Sequence, residues 1–175
     1  MKLILISISI FIFISVEGQT LQEARSSFHQ AVLNPEFSRT FHEAMRSTLD
    51  ESATLMAYKA VSEALLAQVI WNPFSKLSQV MKYDKIMQDA IMQDDKNIEI
   101  RFLRLAIEVN LPEFLGMSEH IREDRDMIVQ NMSNVGSMNL EKSYGQYIFY
   151  FLNDEGLCTE EEISLMKSTL AASGI

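Results

Sequence analysis

Beyond residue 20 the apolar positions recur at the helical period almost throughout, and no strand-like alternation lasts more than a few residues. Helix boundaries fall where that period breaks. A first helix covers about 20–33. Asn34-Pro35 then supplies a cap and a proline for the first helical position, starting a second helix that reaches about 48. The third, ESATLMAYKAVSEALLAQVIW, runs over about 51–71. A second Asn-Pro pair, Asn72-Pro73, stops it and starts the fourth, which extends to Gln93. DDKN at 94–97 is a turn, and the fifth helix follows in NIEIRFLRLAIEVNLPEFLG until Pro112 and Gly116 break the chain. A sixth spans about Ser118 to Met132, and SNVGS at 133–137 is a polar loop. LEKSYGQYIFYFLND makes an aromatic seventh, and TEEEISLMKSTLAAS closes the sequence. Connections this short favour antiparallel neighbours. The expected architecture is all-α: antiparallel helix hairpins, arranged as a stack or an irregular bundle of about eight helices.

The fifth helix has an unusual pattern. At about 100° per residue, Asn97, Arg101, Arg104 and Glu108 fall on one narrow stripe. Ile98, Phe102, Leu105, Ala106 and Val109 form one apolar face, and Ile100, Leu103 and Ile107 another. Apolar flanks with a single polar seam describe a helix at the centre of a bundle or stack. Two expectations follow for the seam. In one, both arginines lie along a solvated edge with their stems over apolar neighbours, and Arg104 pairs with Glu108 four positions on. In the other, Asn97, Arg101, Arg104 and Glu108 face a groove and bind a partner's carboxylate, for which guanidinium forks are suited.

Two internal likenesses stand out. SFHQA and TFHEA place Phe28-His29 and Phe41-His42 in similar settings, but their spacing of 13 is too short for a solenoid unit. AIMQDDKNIEIRFLRLAI, residues 90–107, resembles the junction between two tetratricopeptide repeats, where small and apolar residues precede an acidic turn with Asn. It departs from that pattern at Asp95, where proline is usual, and at Arg101, where a large aromatic is usual, with Phe102 beside it. AYKAVSEALLA, WNPFSKL, NIEIRFLRLAIEVNLPEFLG and GLCTEEE together resemble a group of small exported helical proteins of Bacteroidetes without an assigned activity. That resemblance spans roughly residues 50–165. It implies a helical, tetratricopeptide-like fold and a periplasmic or secreted location, and it brings no catalytic residues.

The first residues, MKLILISISIFIFISVEGQT, read as a secretory signal peptide: Lys2, an apolar stretch from Leu3 to Ile14, and small residues at Val16 and Gly18. The stretch is shorter than the roughly 20 apolar residues of a membrane span. Cleavage after Gly18 leaves residues 19–175, a length suited to one helical domain with its own core. A formal charge of −9 without basic clusters argues against nucleic acid as a partner and predicts repulsion from anionic lipid surfaces. The one cysteine, Cys158, excludes an internal disulfide. Thr159 and Glu162 have capping-box spacing, which puts Cys158 just outside a helix start, opposite Ile163 as a packed thiol.

Signs of chemistry are sparse. His29, His42 and His120 lack zinc-ligand spacing, and the calcium-loop likeness of DKNIE fails at Ile100, where glycine is required. Neither a nucleophile elbow nor a phosphate-binding glycine loop occurs. The 11 methionines form no ligand stripe and read as flexible core filler. REDRD at 122–126 reads as a solvated helix face, and Tyr144, Tyr147 and Phe151 as core packing. NMS at 131–133 is an acceptor for glycosylation only in a eukaryotic secretory route. The expected function is a non-enzymatic module that binds an unknown protein or peptide, with no cofactor, metal, nucleic acid or lasting membrane anchor. The alternatives are an enzyme with a dispersed, hydrolytic site drawing on His29, His42 or His120, and a small carrier of an apolar ligand.

Overall fold

The computed structural model describes residues 21–50, 52–132 and 142–172. The leader at 1–18, the loop at 133–137 and the last residue of the NMS triplet lie outside that range. Among the described residues every regular element is helical: α1 (21–33), α2 (Ser38–Ser47), α3 (Ala53–Val69), α4 (Pro73–Gln93), α5 (Ile98–Glu108), α6 (Ile121–Asn131), α7 (Lys142–Asp154) and α8 (Glu160–Ala172), with short 3-10 turns at Pro35–Phe37 and Glu113–Leu115. Among the described residues the all-α class expected from the periodicity is what forms. No described helix is long and apolar enough to cross a membrane. The chain divides into two compact units, one up to Gln93 and one from Asp94 onward.

In the first unit α3 is the central rod. Leu55, Ala57, Tyr58, Ala60, Val61, Ala64, Leu65 and Ala67 are all buried, so the helix is covered around most of its circumference. Its alanines keep the surface low, which lets α2 and α4 both pack closely against it. Phe28 of α1 meets Phe41 at 6.4 Å and Tyr58 at 5.9 Å between ring centroids. The repeated phenylalanine-histidine pairs thus share one aromatic contact through their rings, while their histidines diverge: His29 is exposed and His42 buried. Both Asn-Pro turns form as their chemistry requires. Asn34 is extended and its side chain accepts from Glu36 N at 3.2 Å, while Asn72 Oδ1 accepts from Phe74 N at 2.9 Å and Ser75 N at 3.1 Å. The second helix differs from expectation in its start: Pro35–Phe37 winds as a 3-10 turn before α2 begins at Ser38.

In the second unit α5 is the central rod, buried on every side except at Ala106. α7 covers one face with aromatics: Tyr144, Tyr147 and Phe151 each stand edge-on to Phe102, with centroids 5.3–6.0 Å apart. The same three residues fall on one helical face in the sequence, and core packing is their role. α7 ends in a Schellman closure. Gly156 takes φ +64, and the amides of Gly156 and Leu157 return to Asn153 O and Leu152 O. α8 opens on the expected capping box, Thr159 N donating to Glu162 Oε2 and Glu162 N to Thr159 Oγ1.

Candidate functional site

The polar seam of α5 is built from its first residue. Asn97 Oδ1 accepts from Glu99 N at 3.0 Å and Ile100 N at 3.3 Å, which fixes where the helix starts. That start places Arg101 and Arg104 on the side where α6 packs. Arg104 makes a bidentate fork onto Asp124, Nε to Oδ2 at 2.6 Å and Nη2 to Oδ1 at 2.7 Å. Arg101 Nη1 donates to the same carboxylate at 3.0 Å and to Glu123 Oε1 at 2.5 Å, and its Nε donates to Asp95 O at 2.9 Å. Asp124 is 0% exposed, and both guanidinium groups are buried. Two buried guanidinium groups are thereby matched by the buried Asp124 within the α5–α6 interface and by Glu123 at its exposed edge.

The sequence expectations for this seam are corrected accordingly. Arg101 and Arg104 occupy neither a solvated edge nor an open groove, because the negative charges that complete them come from within the same unit. REDRD is likewise not a plain solvated face: Asp124 is the most deeply buried residue of the network, and only Arg122 and Glu123 of the five are exposed. The hydrogen bond from Arg101 holds the Glu123 carboxyl below the usual carboxylate range, with burial opposing and both arginines adding their attraction. For Arg104, burial works against the charge, but the Asp124 hydrogen bond and the surrounding carboxylates outweigh it and hold the guanidinium above its ordinary value.

Glu108, the last member of the stripe, turns to the chain that follows instead of back to Arg104. Its Oε2 accepts from His120 N at 2.9 Å, its Oε1 lies 2.8 Å from His120 Nδ1, and its main-chain oxygen accepts from Ser118 Oγ at 3.1 Å. The segment between α5 and α6 is thus clamped onto the end of α5. Burial pushes the Glu108 carboxyl above its ordinary value, and the His120 hydrogen bonds pull partly against that shift. A carboxylate at Nδ1 orients the ring and leaves Nε2 turned away from it, as in the orienting half of a general base.

Two further polar groupings lie outside this network. In the first unit His42 Nε2 lies 3.1 Å from Glu63 Oε1, and Ser38 stands one turn before His42 on α2. The composition is that of a nucleophile, a base and an orienting acid. Ser38 is nevertheless wholly buried, and a hydroxyl that no substrate can reach performs no acyl transfer. In the second unit Arg125 ties α6 to the start of α8, donating to Leu157 O at 2.8 Å and to Glu162. Burial pushes the neighbouring Cys158 thiol up, with Arg125 opposing, so the thiolate needed for reactivity is disfavoured and a packed thiol is the better description. Shallow depressions on α8 around Leu165, and beside Arg122 and Leu157, have little enclosure for a small molecule. Among the described residues no group of three or more His, Cys, Asp or Glu is arranged to hold a metal ion.

A surface that the sequence reading passed over lies in the first unit. Leu33 and Phe37 flank one Asn-Pro pair, and Trp71 and Phe74 flank the other. All four are exposed: Trp71 by 95%, Phe74 by 82% and Leu33 by 72%. Leu77 and Met81 continue the apolar surface along α4, roughly one and two turns beyond Phe74, on the face opposite Val80, Tyr83 and Met87. The available signal was a pair of turn motifs each bracketed by large apolar residues, which helical periodicity alone absorbs into the ends of helices. Against family models, curated proteins and solved structures alike, the chain finds no match.

Proposed function

We propose that the protein is an exported, non-enzymatic binding module, and that it binds through the exposed apolar surface of its first unit instead of through the arginines of α5. One observation carries this reading: Trp71, Phe74 and Leu33 stand in solvent next to a well-filled core. Single exposed apolar residues are ordinary on soluble proteins, but a cluster of large aromatic and aliphatic groups marks a surface that another molecule covers. The polar cluster of α5 and α6 supports the module by fixing its second unit. The test is sedimentation of extracts from an exporting host. The wild-type protein migrates with larger assemblies, whereas the triple variant Leu33→Ser, Trp71→Ser, Phe74→Ser migrates free. Identical migration of the two would remove the proposal.

A hydrolytic role is the second reading, favoured only by the Glu108–His120 pair. It requires His120→Ala to abolish turnover of a panel of simple esters while leaving helicity unchanged. A wild-type protein without turnover on that panel ends it.

A further inference from the structure

We infer that the apolar surface of the first unit is a membrane-docking tip, which seats reversibly in the headgroup layer of a bilayer containing anionic lipid. This rests on the binding-module reading above and names its partner class. The two Asn-Pro turns are 38 residues apart in sequence, yet they lie at the same end of the unit. Arg39, at the start of α2, donates from Nη2 to Val69 O at the end of α3 at 3.2 Å, and the 3-10 turn at Pro35–Phe37 packs on α3. Leu33 and Phe37 from one turn, and Trp71 and Phe74 from the other, are therefore presented together.

Three properties of this end favour lipid over a protein groove or a second copy. The apolar groups stand on turns and on the outer face of a helix, so the surface projects outward. A fluid layer closes around such a projection, whereas a protein would need a matching pocket. Part of the backbone at the tip is internally satisfied: Asn34 and Asn72 accept the amides that open the following turns, and the prolines have none to offer. That lowers the cost of moving the turns into a medium poor in water. Charge is the third property. Lys76, Lys82 and Lys85 on α4 form no ion pair among the described residues, Lys82 donates to Gln79 Oε1, and the acids of the same helix, Asp84 and Asp89, lie further from the turn than Lys76. Within the two turns Glu36 is the one acid, set against Arg39 and Lys76. Although the whole chain carries −9, screening limits charges to a range of about 8 Å in physiological salt, so the tip meets a surface with its own local sign. Trp and Phe at the headgroup level with lysines reaching outward is the composition of an interfacial contact.

Trp71 is the only tryptophan, so its emission reports on this tip alone. The protein is taken as recovered from an exporting host, and vesicles of phosphatidylcholine containing one-third phosphatidylglycerol are added. The expected result is a blue shift of the emission together with co-sedimentation, weaker on phosphatidylcholine alone. Phe74→Ser, which keeps the reporter, weakens partitioning about tenfold, as expected for one large apolar side chain. Leu33→Ser weakens it as well, although it is remote in sequence from the reporter. Absence of both shift and sedimentation on every vesicle overturns the lipid inference. If the wild-type protein still migrates with larger assemblies in extracts, the binding module survives with a protein partner. A shift that follows protein concentration without vesicles overturns the lipid inference in favour of self-association.

Discussion

Asp124 shows how one buried acid organises its surroundings. Its two oxygens take three donors from two arginines, so neutralising it leaves two buried guanidinium groups with only the largely exposed Glu123 to answer them. Asp124→Asn is expected to destabilise the second unit by about 3–5 kcal/mol, read from the urea midpoint. Removing the buried partners together, as Arg101→Met, Arg104→Met, Asp124→Leu, is expected to cost far less, because no unpaired charge remains. A triple variant as unstable as the single one would show that the ions contribute more than mutual neutralisation. The neighbouring carboxyls predict opposite dependences on pH. Glu123 is held low in the folded state by Arg101, so its contribution is present above the ordinary carboxylate pKa and lost as pH falls through the folded value. Glu108 is raised by burial, so its contribution is present below the ordinary value and lost as pH rises through the folded one. Between about pH 3 and 6, Glu123→Gln should therefore flatten the loss of stability on acidification, and Glu108→Gln should steepen it. Stability curves of the two variants that run parallel to wild type would contradict both assignments.

At the scale of elements, the helices are delimited by side chains that the sequence displays. Asn97→Ala removes the acceptor for two amides and should cost about 1 kcal/mol, with Asn97→Asp retaining most of the stability. Gly156→Ala should cost a similar amount, on the order of 1 kcal/mol, because its φ of +64 disfavours a Cβ even where the surrounding space is open. Phe102→Ala removes the ring that three aromatics of α7 surround, and about 3–5 kcal/mol is expected for such a truncation. Near-ultraviolet circular dichroism should lose its aromatic signal in step with the denaturation midpoint. Most boundaries lie within a few residues of their expected places because caps and prolines act locally. The exceptions have local causes too: α6 starts at Ile121 instead of near Ser118 because Ser118 and His120 are held by Glu108.

At the scale of the whole molecule, the export proposal has its own check. The mass of the product from an exporting host should correspond to a chain beginning at Gln19, and retention of the first 18 residues would contradict it. The chain by itself determined the helical class, the Asn-Pro turns, the capping box of α8, the central position of α5 and the aromatic face of α7. Each is written in residues within a few turns of one another, where period, caps and proline chemistry operate. Only the tertiary structure decided what the polar groups do. Arg104 and Asp124 are 20 positions apart, and the sequence shows a basic seam and an acidic run without showing that one neutralises the other inside an interface. The same holds for Glu108, whose partner is His120 instead of the arginine one turn away, and for the two exposed apolar turns, which adjoin only because α2 folds back along α3. Periodicity tells which face of a helix is buried, but the identity of a buried charge's counter-charge, and which apolar groups remain uncovered, depend on how separate helices meet.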